Sequence, residues 1–489
     1  MYVTGLSVAW IEMNSSIARG MRGQLFNSYP DFAHDYTGSR TYVAGVRPHR
    51  SRACARIDSM VNRMNIRLSM IHGRYRAIPC ALLMATLVSL AGLFAPVANA
   101  ASFDACIAGL RKTALSQGID ATTFDKALKG VEPDPDVIKS FEYQPEFRTP
   151  IWDYVAGLVD DERVADGREQ MARWDAVLGA AEREYGVDRH VIVAVWGVES
   201  NFGRIQGTRD LVRSLTTLVC ANKRESFFRG ELMATLRILQ SGDIAADGLT
   251  GSWAGAFGQT QFMPTTYQRL AVDFDGDGKR DVVNSVPDAL GSTANYLARA
   301  GWVAGEPWGY EVRIPENYAG PSGRRTRQSL AKWAALGVKR IEPVQSGGKP
   351  QPADTTQAAL LLPAGPQGPA FLVFRNFDAI YSYNAAESYA LSIAHLSDRL
   401  QGAPGFSMPW PTDDPGLSRA DRREVQQRLI DRGYDIGTVD GMIGAKSRGA
   451  ISDFQSAQGV KADGRAGLRV LKALREAPVP AQTVPAVTQ

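Results

Sequence analysis

Between Val191 and Gly203 the chain runs apolar for eight residues and then presents one carboxylate, Glu199, ahead of a small, polar turn. Asp188 stands where a helix N-cap would, so Arg189 to about Val198 is predicted to be a buried helix with Glu199 at its C-terminal end. Apolar burial and the negative end of the helix dipole both disfavour an ionised carboxylate there, so the carboxyl should hold its proton near neutral pH. A protonated carboxyl is what a general acid needs. A lone Glu at a helix end usually faces solvent, so this reading needs a partner surface elsewhere in the chain.

A second stretch supplies one. In Gly251-Ser-Trp-Ala-Gly-Ala-Phe-Gly-Gln-Thr-Gln-Phe-Met-Pro-Thr-Thr-Tyr267, small residues alternate with Gln and aromatics. Glycines let the backbone approach a ligand closely, and Ser252, Gln259 and Gln261 could bond hydroxyl and acetamido groups of a sugar. A third stretch, Asp273-Phe-Asp-Gly-Asp-Gly-Lys-Arg-Asp281, has the first half of an EF-hand loop. Asp273, Asp275 and Asp277 take its odd positions, Gly278 its sharp turn, and Lys279 would offer a carbonyl, with Asp281 a further candidate. Asn284 stands where such a loop carries a bidentate Glu, so the match is incomplete.

The elements that position these stretches are mainly helical. Helical periodicity runs from Ala101 to about Gly130, over 163–185, on through Leu239, and from Pro287 to Ala300, with almost no strand-like alternation. Between 305 and 369 the composition shifts to Pro, Gly and short alternating runs, a small and partly β insertion, before 371–400 returns to the core. Residues 402–415 form a Pro/Gly-rich linker. A compact unit of three helices, at Arg419–Gly433, Ala445–Gly459 and Gly467–Arg475, fills 416–475, and 476–489 forms a disordered tail.

Upstream, 1–100 is a leader segment. It holds a basic stretch, an apolar run at 81–94 too short to favour a membrane span, and the small-x-small site Ala98-Asn99-Ala100. That layout predicts export by a signal peptide cleaved near Ala100, with a retained anchor as the alternative and the only route to a membrane. Cleavage leaves Cys106 and Cys220, which in an oxidising compartment invite a disulfide, two buried thiols being the alternative. A net charge of +4 over 489 residues gives no case for nucleic acid but suits an anionic polymer. Five histidines and no Cys/His cluster leave no zinc site.

Val-Glu-Ser-Asn-Phe-Gly, the Gly251–Pro264 motif, Asp-Phe-Asp-Gly-Asp-Gly and Asn376-Phe-Asp-Ala-Ile-Tyr-Ser-Tyr-Asn384 occur in that order. Together they resemble the lytic murein transglycosylase B family over about 103–401, which implies a catalytic domain at 101–401 with a goose-lysozyme-like α-helical core. The resemblance implies a monomer that cleaves the β-1,4 MurNAc–GlcNAc bond of peptidoglycan, leaving 1,6-anhydroMurNAc ends, with Glu199 as acid and then base. Ser252, Gln261, Tyr296, Tyr383, Asn384 and Tyr389 fall on sugar-contacting positions, Arg224 on one of a pair of cleft arginines whose first member is Lys223 in this chain, and Asp288 on the distal ligand of a structural Ca²⁺. No organic cofactor is implied. The 416–475 unit resembles a peptidoglycan-binding domain, and the whole implies a periplasmic or secreted enzyme. Ordinary glycosidases use two carboxylates. The alternatives are a hydrolytic muramidase, with Asp243 or Asp247 placing water, and a non-catalytic peptidoglycan-binding protein.

Overall fold

The computed structural model describes residues 95–142, 149–341 and 352–479. The described residues from Ser102 to Val479 belong to one compact unit. The apolar run at 81–94 and residues 480–489 lie outside the described residues, whereas Ala98–Ala100 lies within the first described helix. Among the described residues no helix is long and apolar enough to cross a membrane.

The described residues begin with α1 (Ala95–Ser116), α2 (Ala121–Ala127), α3 (Pro135–Glu142) and α4 (Ile151–Leu158). The single helix expected over 163–185 is two, α5 (Asp161–Arg173) and α6 (Asp175–Tyr185). Trp174 breaks it, leaving helical geometry at ψ 21° while still donating to Gln170 and accepting from Leu178. Apolar periodicity cannot register a break of one residue whose side chain still packs on the same core. Next comes α7 (Arg189–Ser200), capped by the Asp188 carboxylate, which accepts from the His190 N–H. Every residue of α7 from Val191 to Ser200 is buried, so its apolar run is the centre of the main core rather than one amphipathic face.

A two-stranded ribbon, β1 (Arg209–Asp210) with β2 (Thr250–Gly251), brackets α8 (Leu211–Cys220) and α9 (Glu225–Ser241). Gly207 beside it has φ +91°, and a Cβ there would land on the Gly251 backbone. Gly207→Ala is therefore expected to cost about 2 kcal/mol or more through strain and collision, read as a lower urea midpoint. Then follow α10 (Pro264–Leu270) and α11 (Val286–Arg299).

The insertion is β3 (Gly309–Arg313), β4 (Arg327–Ser329), α12 (Leu330–Ala335), β5 (Lys339–Arg340), β6 (Gln357–Leu361) and β7 (Ala370–Val373), in antiparallel order β4-β6-β7-β3-β5. Phe371–Val373 is strand at the centre of this sheet, and its Phe371 and Val373 side chains already pack in the main core, as the return after 369 led one to expect. Ala359, Leu361, Phe371 and Val373 face the main core, while Ala358, Leu360, Ala370 and Leu372 pack with Trp333 of α12. A sheet covered on both faces reads as continuous apolar sequence, which hides its alternation.

Two helices return to the core, α13 (Arg375–Asn384) and α14 (Glu387–Leu400), the latter packed along α7. The Pro/Gly-rich stretch after it has no regular element but is firmly seated. Phe406 stacks on His395 at 3.8 Å, and the Ser407 and Met408 N–H groups donate to Glu311 at 2.7 and 2.8 Å. Pro and Gly content predicted missing secondary structure, which is a different thing from missing contact. The C-terminal unit holds α15 (Arg419–Ile430), α16 (Ala445–Ala457) and α17 (Leu468–Glu476) around its own core of Val425, Leu429, Ile451, Phe454 and Leu471. Arg465 binds it to α4 through a bidentate pair with Asp153, at 2.6 and 2.7 Å.

Candidate active site

Glu199 lies in the last turn of α7 and is 1% exposed. The helix ends just after it through successive positive φ at Asn201 (51°), Phe202 (60°) and Gly203 (80°). Asn201 N–H donates to Gly197 and Phe202 N–H to Trp196, a paired C-terminal cap. Phenylalanine at positive φ is costly. It is held by the Phe202 ring, which meets Trp196 edge-on at 5.6 Å and fills the space a Cβ on Gly197 would take.

From α14, the Tyr389 hydroxyl donates to Glu199 Oε1 at 2.6 Å, while Oε2 has no partner within the protein. Burial pushes the Glu199 carboxyl up to about 8, against a smaller downward pull from Tyr389, and no neighbouring carboxylate contributes. Burial also pushes the Tyr389 hydroxyl above its ordinary value, so it remains a donor. Glu199 is therefore a neutral acid at pH 7 with one oxygen free to meet a ligand.

Around it sits a layer of aromatics and orphaned polar atoms. Tyr383 stacks on Tyr389 at 6.3 Å and lies 4.6 Å from Tyr296, and both Tyr296 and Tyr383 pack on Phe262. Tyr383 donates to the Thr260 carbonyl at 2.8 Å and Tyr296 to the Ser382 carbonyl at 2.7 Å. Thr260 Oγ1, Gln261 Oε1 and both side-chain polar atoms of Asn384 are buried and make no hydrogen bond within the protein. Each such group costs about 1–3 kcal/mol unless a ligand or water satisfies it. Their concentration on the segments that pack against Glu199's neighbours marks the face a polar ligand would fill.

Several residues read as sugar contacts also make bonds within the protein. Ser252 Oγ accepts from Ala254 and Ala256 N–H at 3.3 and 3.0 Å, capping its own turn. The Gln259 side chain accepts from Trp196 Nε1 at 3.1 Å and donates to the Val283 carbonyl at 3.2 Å, so it braces the site from behind. Gln261, at φ 53°, donates to Gln206 and Gly258 carbonyls, which leaves only its oxygen without a partner. The Tyr389 hydroxyl reaches Glu199 itself. Lys223 is paired with Glu142 at 2.8 Å, and Arg224 lies over the Phe227 ring at 4.9 Å. Thr260 and Gln206 were not singled out from sequence, and only their place in the Gly-rich and post-helix loops could have suggested them.

In the acidic loop, Asp273, Asp275 and Asp288 converge, with ligand oxygens all within 4.8 Å of one another. The other candidate carboxylates fall outside this group. Asp277 accepts from Lys279 N–H, and Asp281 is spent on Val283 and Asn284 N–H groups, both at 2.9 Å. The Asp288 carboxylate also receives the N–H groups of Phe274, Asp275 and Asp281, drawing the loop onto the start of α11. Three converging carboxylates with positive-φ Gly276 and Gly278 between them fit a hard divalent cation. The same loop carries Val282 and Val283, whose carbonyls hold Gln259 and Gln206, so it is wired to the back of the site.

Cys106 and Cys220 are joined as a disulfide, tying α1 to the end of α8 across 114 residues. Beside them Phe124, Phe228, Leu232 and Trp253 form a second apolar core that backs the Gly251 segment.

An α-helical core with one buried, protonated carboxyl at a helix end, faced by tyrosines and unsatisfied polar atoms, defines a lysozyme-like class of glycan-directed protein. Residues 102–398 match the transglycosylase SLT domain family, and 418–474 match a peptidoglycan binding domain. The chain is 32% identical over 248 residues to membrane-bound lytic murein transglycosylase B of Escherichia coli K12, a match that spans 50% of this chain and 65% of that protein, under two thirds of its length. SltB3 from Pseudomonas aeruginosa, solved in complex with NAG-anhNAM-pentapeptide, is 46% identical, with TM-score 0.60 over 76% of this chain and 99% of that one. Escherichia coli Slt35, solved in complex with calcium, is 28% identical, with TM-score 0.53 over 60% and 92%. This chain belongs to the transglycosylase SLT family.

Proposed function

We propose that the protein is a lytic transglycosylase that cleaves the β-1,4 MurNAc–GlcNAc bond of peptidoglycan and leaves 1,6-anhydroMurNAc ends. The observation that carries this is Glu199, protonated at neutral pH and without a second carboxylate contributing to its environment. Glu199 gives its proton to the glycosidic oxygen as the C1–O bond breaks, which releases GlcNAc with a free 4-hydroxyl. The carboxylate so formed takes the proton of the muramic C6 hydroxyl, whose oxygen closes on C1. No water is consumed and Glu199 ends as it began. Tyr389, bonded to Oε1, orients the carboxyl and steadies its anionic state between the two steps.

The hydrolytic alternative needs a second carboxylate to place water. Asp243 is committed to Arg280 at 2.5 Å and to the Tyr267 hydroxyl, and Asp247 is exposed on a short 3-10 turn at Ala246–Gly248. Neither supports it. Mass spectrometry of muropeptides released by the purified protein tests the reading. Anhydro ends are expected, reducing ends would replace it with hydrolysis, and binding without release would leave a wall-binding protein.

The division into a catalytic region at 101–401, a connecting stretch at 402–415 and a wall-binding unit at 416–475 is part of the same proposal, as is export to the periplasm. The substrate is itself outside the cytoplasm, and a wall-binding unit raises effective concentration on an insoluble polymer. Asp273, Asp275 and Asp288 would hold Ca²⁺ as a brace for the 273–288 loop. Added Ca²⁺ at a hundred times its Kd is expected to stabilise the fold by about 2.7 kcal/mol. Chelator should reverse this, and Asp288→Asn should abolish the response. A melting temperature indifferent to both would remove the metal from the account.

A further inference from the structure

A cavity of about 380 Å³ lies between the catalytic region and the C-terminal unit. One side is α4 with the start of α5 and the loop after α7, the other the two Asp-Gly turns at 440–441 and 463–464. Those turns face the catalytic region, so whatever the C-terminal unit holds there is held by both partners.

The lining carries five arginines against three aspartates. All three carboxylates are committed close to home. Asp153 pairs with Arg465, Asp440 accepts from Gln426 and the Met442 N–H, and Asp463 accepts from Gln455 and the Arg465 N–H. Of the five arginines, Arg465 is held by Asp153 and Asp414, Arg422 donates to the Gly441, Leu417 and Gly157 carbonyls and Arg448 to the Ile443 carbonyl, so the spare donors belong to Arg163 and Arg419. Arg163 is 6% exposed, gives one N–H to the Leu158 carbonyl at 3.2 Å, and its Nε has no acceptor. Arg419 Nη2 also has none, and its nearest carboxylates, Asp160 and Asp166, stand at 3.8 and 3.7 Å, beyond good hydrogen bonds. Burial, with Arg419 and Arg422 close by, pushes the Arg163 guanidinium down to about 9. Buried like charges with donors to spare call for an anion.

A different kind of group completes the cavity. Asn201, two residues past Glu199, lines it with a buried Oδ1 that accepts nothing, while Leu158, Ile205 and Ile443 supply apolar wall. A ligand that satisfies both demands carries a carboxylate, an N–H donor and small aliphatic side chains, which is the chemistry of a short peptide end. The volume lies in the range of small-ligand sites.

We infer that this cavity is a peptide-carboxylate subsite, shared by the catalytic region and the C-terminal unit, that takes the stem peptide of the glycan strand. The inference rests on the peptidoglycan reading above. It adds a specificity element, because a strand bearing peptides would bridge both units while a bare strand would engage only the face around Glu199.

The test is calorimetric binding to the full chain carrying Glu199→Gln, with three probes: NAG-NAM-pentapeptide, the same compound with its carboxylates amidated, and peptide-free NAG-NAM. Arg419→Gln removes an anion donor, and Met442→Trp fills the cavity without touching charge, with thermal melts checking that both variants fold. Each variant is expected to weaken the pentapeptide probe about tenfold and to leave the peptide-free probe as it was. Amidation should cost the same factor in the parent and nothing further in Arg419→Gln. Equal pentapeptide affinity in parent and variants, or equal loss of both unamidated probes, overturns the subsite. So does inorganic phosphate that displaces nothing but itself binds with the Arg419 dependence, which would mark a general anion hole. Because no turnover is measured, failure to form anhydro ends would sink the proposed reaction without bearing on this result.

Discussion

Glu199→Gln is expected to lower the rate of muropeptide release by about 10³-fold or more, since one residue serves as both acid and base. The same substitution should make the protein more stable in alkaline solution. Glu199 has its carboxyl raised from 4.5 to about 8 in the fold, so the native state holds the proton more tightly than the unfolded chain does. Between those two values stability falls as pH rises, by at most about 1.4 kcal/mol per pH unit, and above the upper value it levels off. Glutamine has no proton to lose. The stability advantage of Glu199→Gln should therefore be small at pH 5, grow through pH 7 and be largest at pH 9, as read from urea unfolding at each pH. Activity of the parent should fall as pH rises through about 8, where the acid ionises. Tyr389→Phe removes the one interaction that pulls this carboxyl down, so its alkaline limb should lie at higher pH than the parent's. A variant whose stability tracks the parent at every pH would mean that Glu199 is not buried as a neutral acid.

Reducing the Cys106–Cys220 disulfide, or replacing both cysteines with serine, is expected to cost about 4–5 kcal/mol, near the upper end of what one cross-link contributes. The reason is the loop it closes. With the cysteines 114 positions apart, the unfolded chain loses much of its freedom when they are joined. The fold should persist, because Phe124, Phe228 and Leu232 still bury the α1–α3 layer against α8 and α9. Thermal melts with and without reductant measure the loss. An unchanged midpoint would show that this layer holds itself in place without the cross-link.

How far the sequence reaches can be judged residue by residue. It placed the α7 helix and its Asp188 cap, since an unbroken apolar run after a capping residue is local information. It also picked out the acidic loop, because alternating Asp with Gly at the turn is a local pattern. Spacing alone left Asp281 beside Asp288 as the closing carboxylate, a choice only the family resemblance tipped toward Asp288, because convergence depends on how α11 docks. The sequence could not foresee that Gln259 turns inward to Trp196 and Val283, because glutamine reads the same whether it faces a sugar or a core.

Taken alone, the sequence determined the helical class, the order of the motifs and the identity of Glu199 as the carboxylate to watch, all properties of short windows. Tertiary structure decided that this carboxyl is neutral, through burial and through Tyr389, 190 residues further along the chain. It also decided which polar side chains brace the site and which are left for a ligand. Proton affinity and hydrogen-bond satisfaction depend on everything packed around a group, and those neighbours arrive from distant parts of the chain.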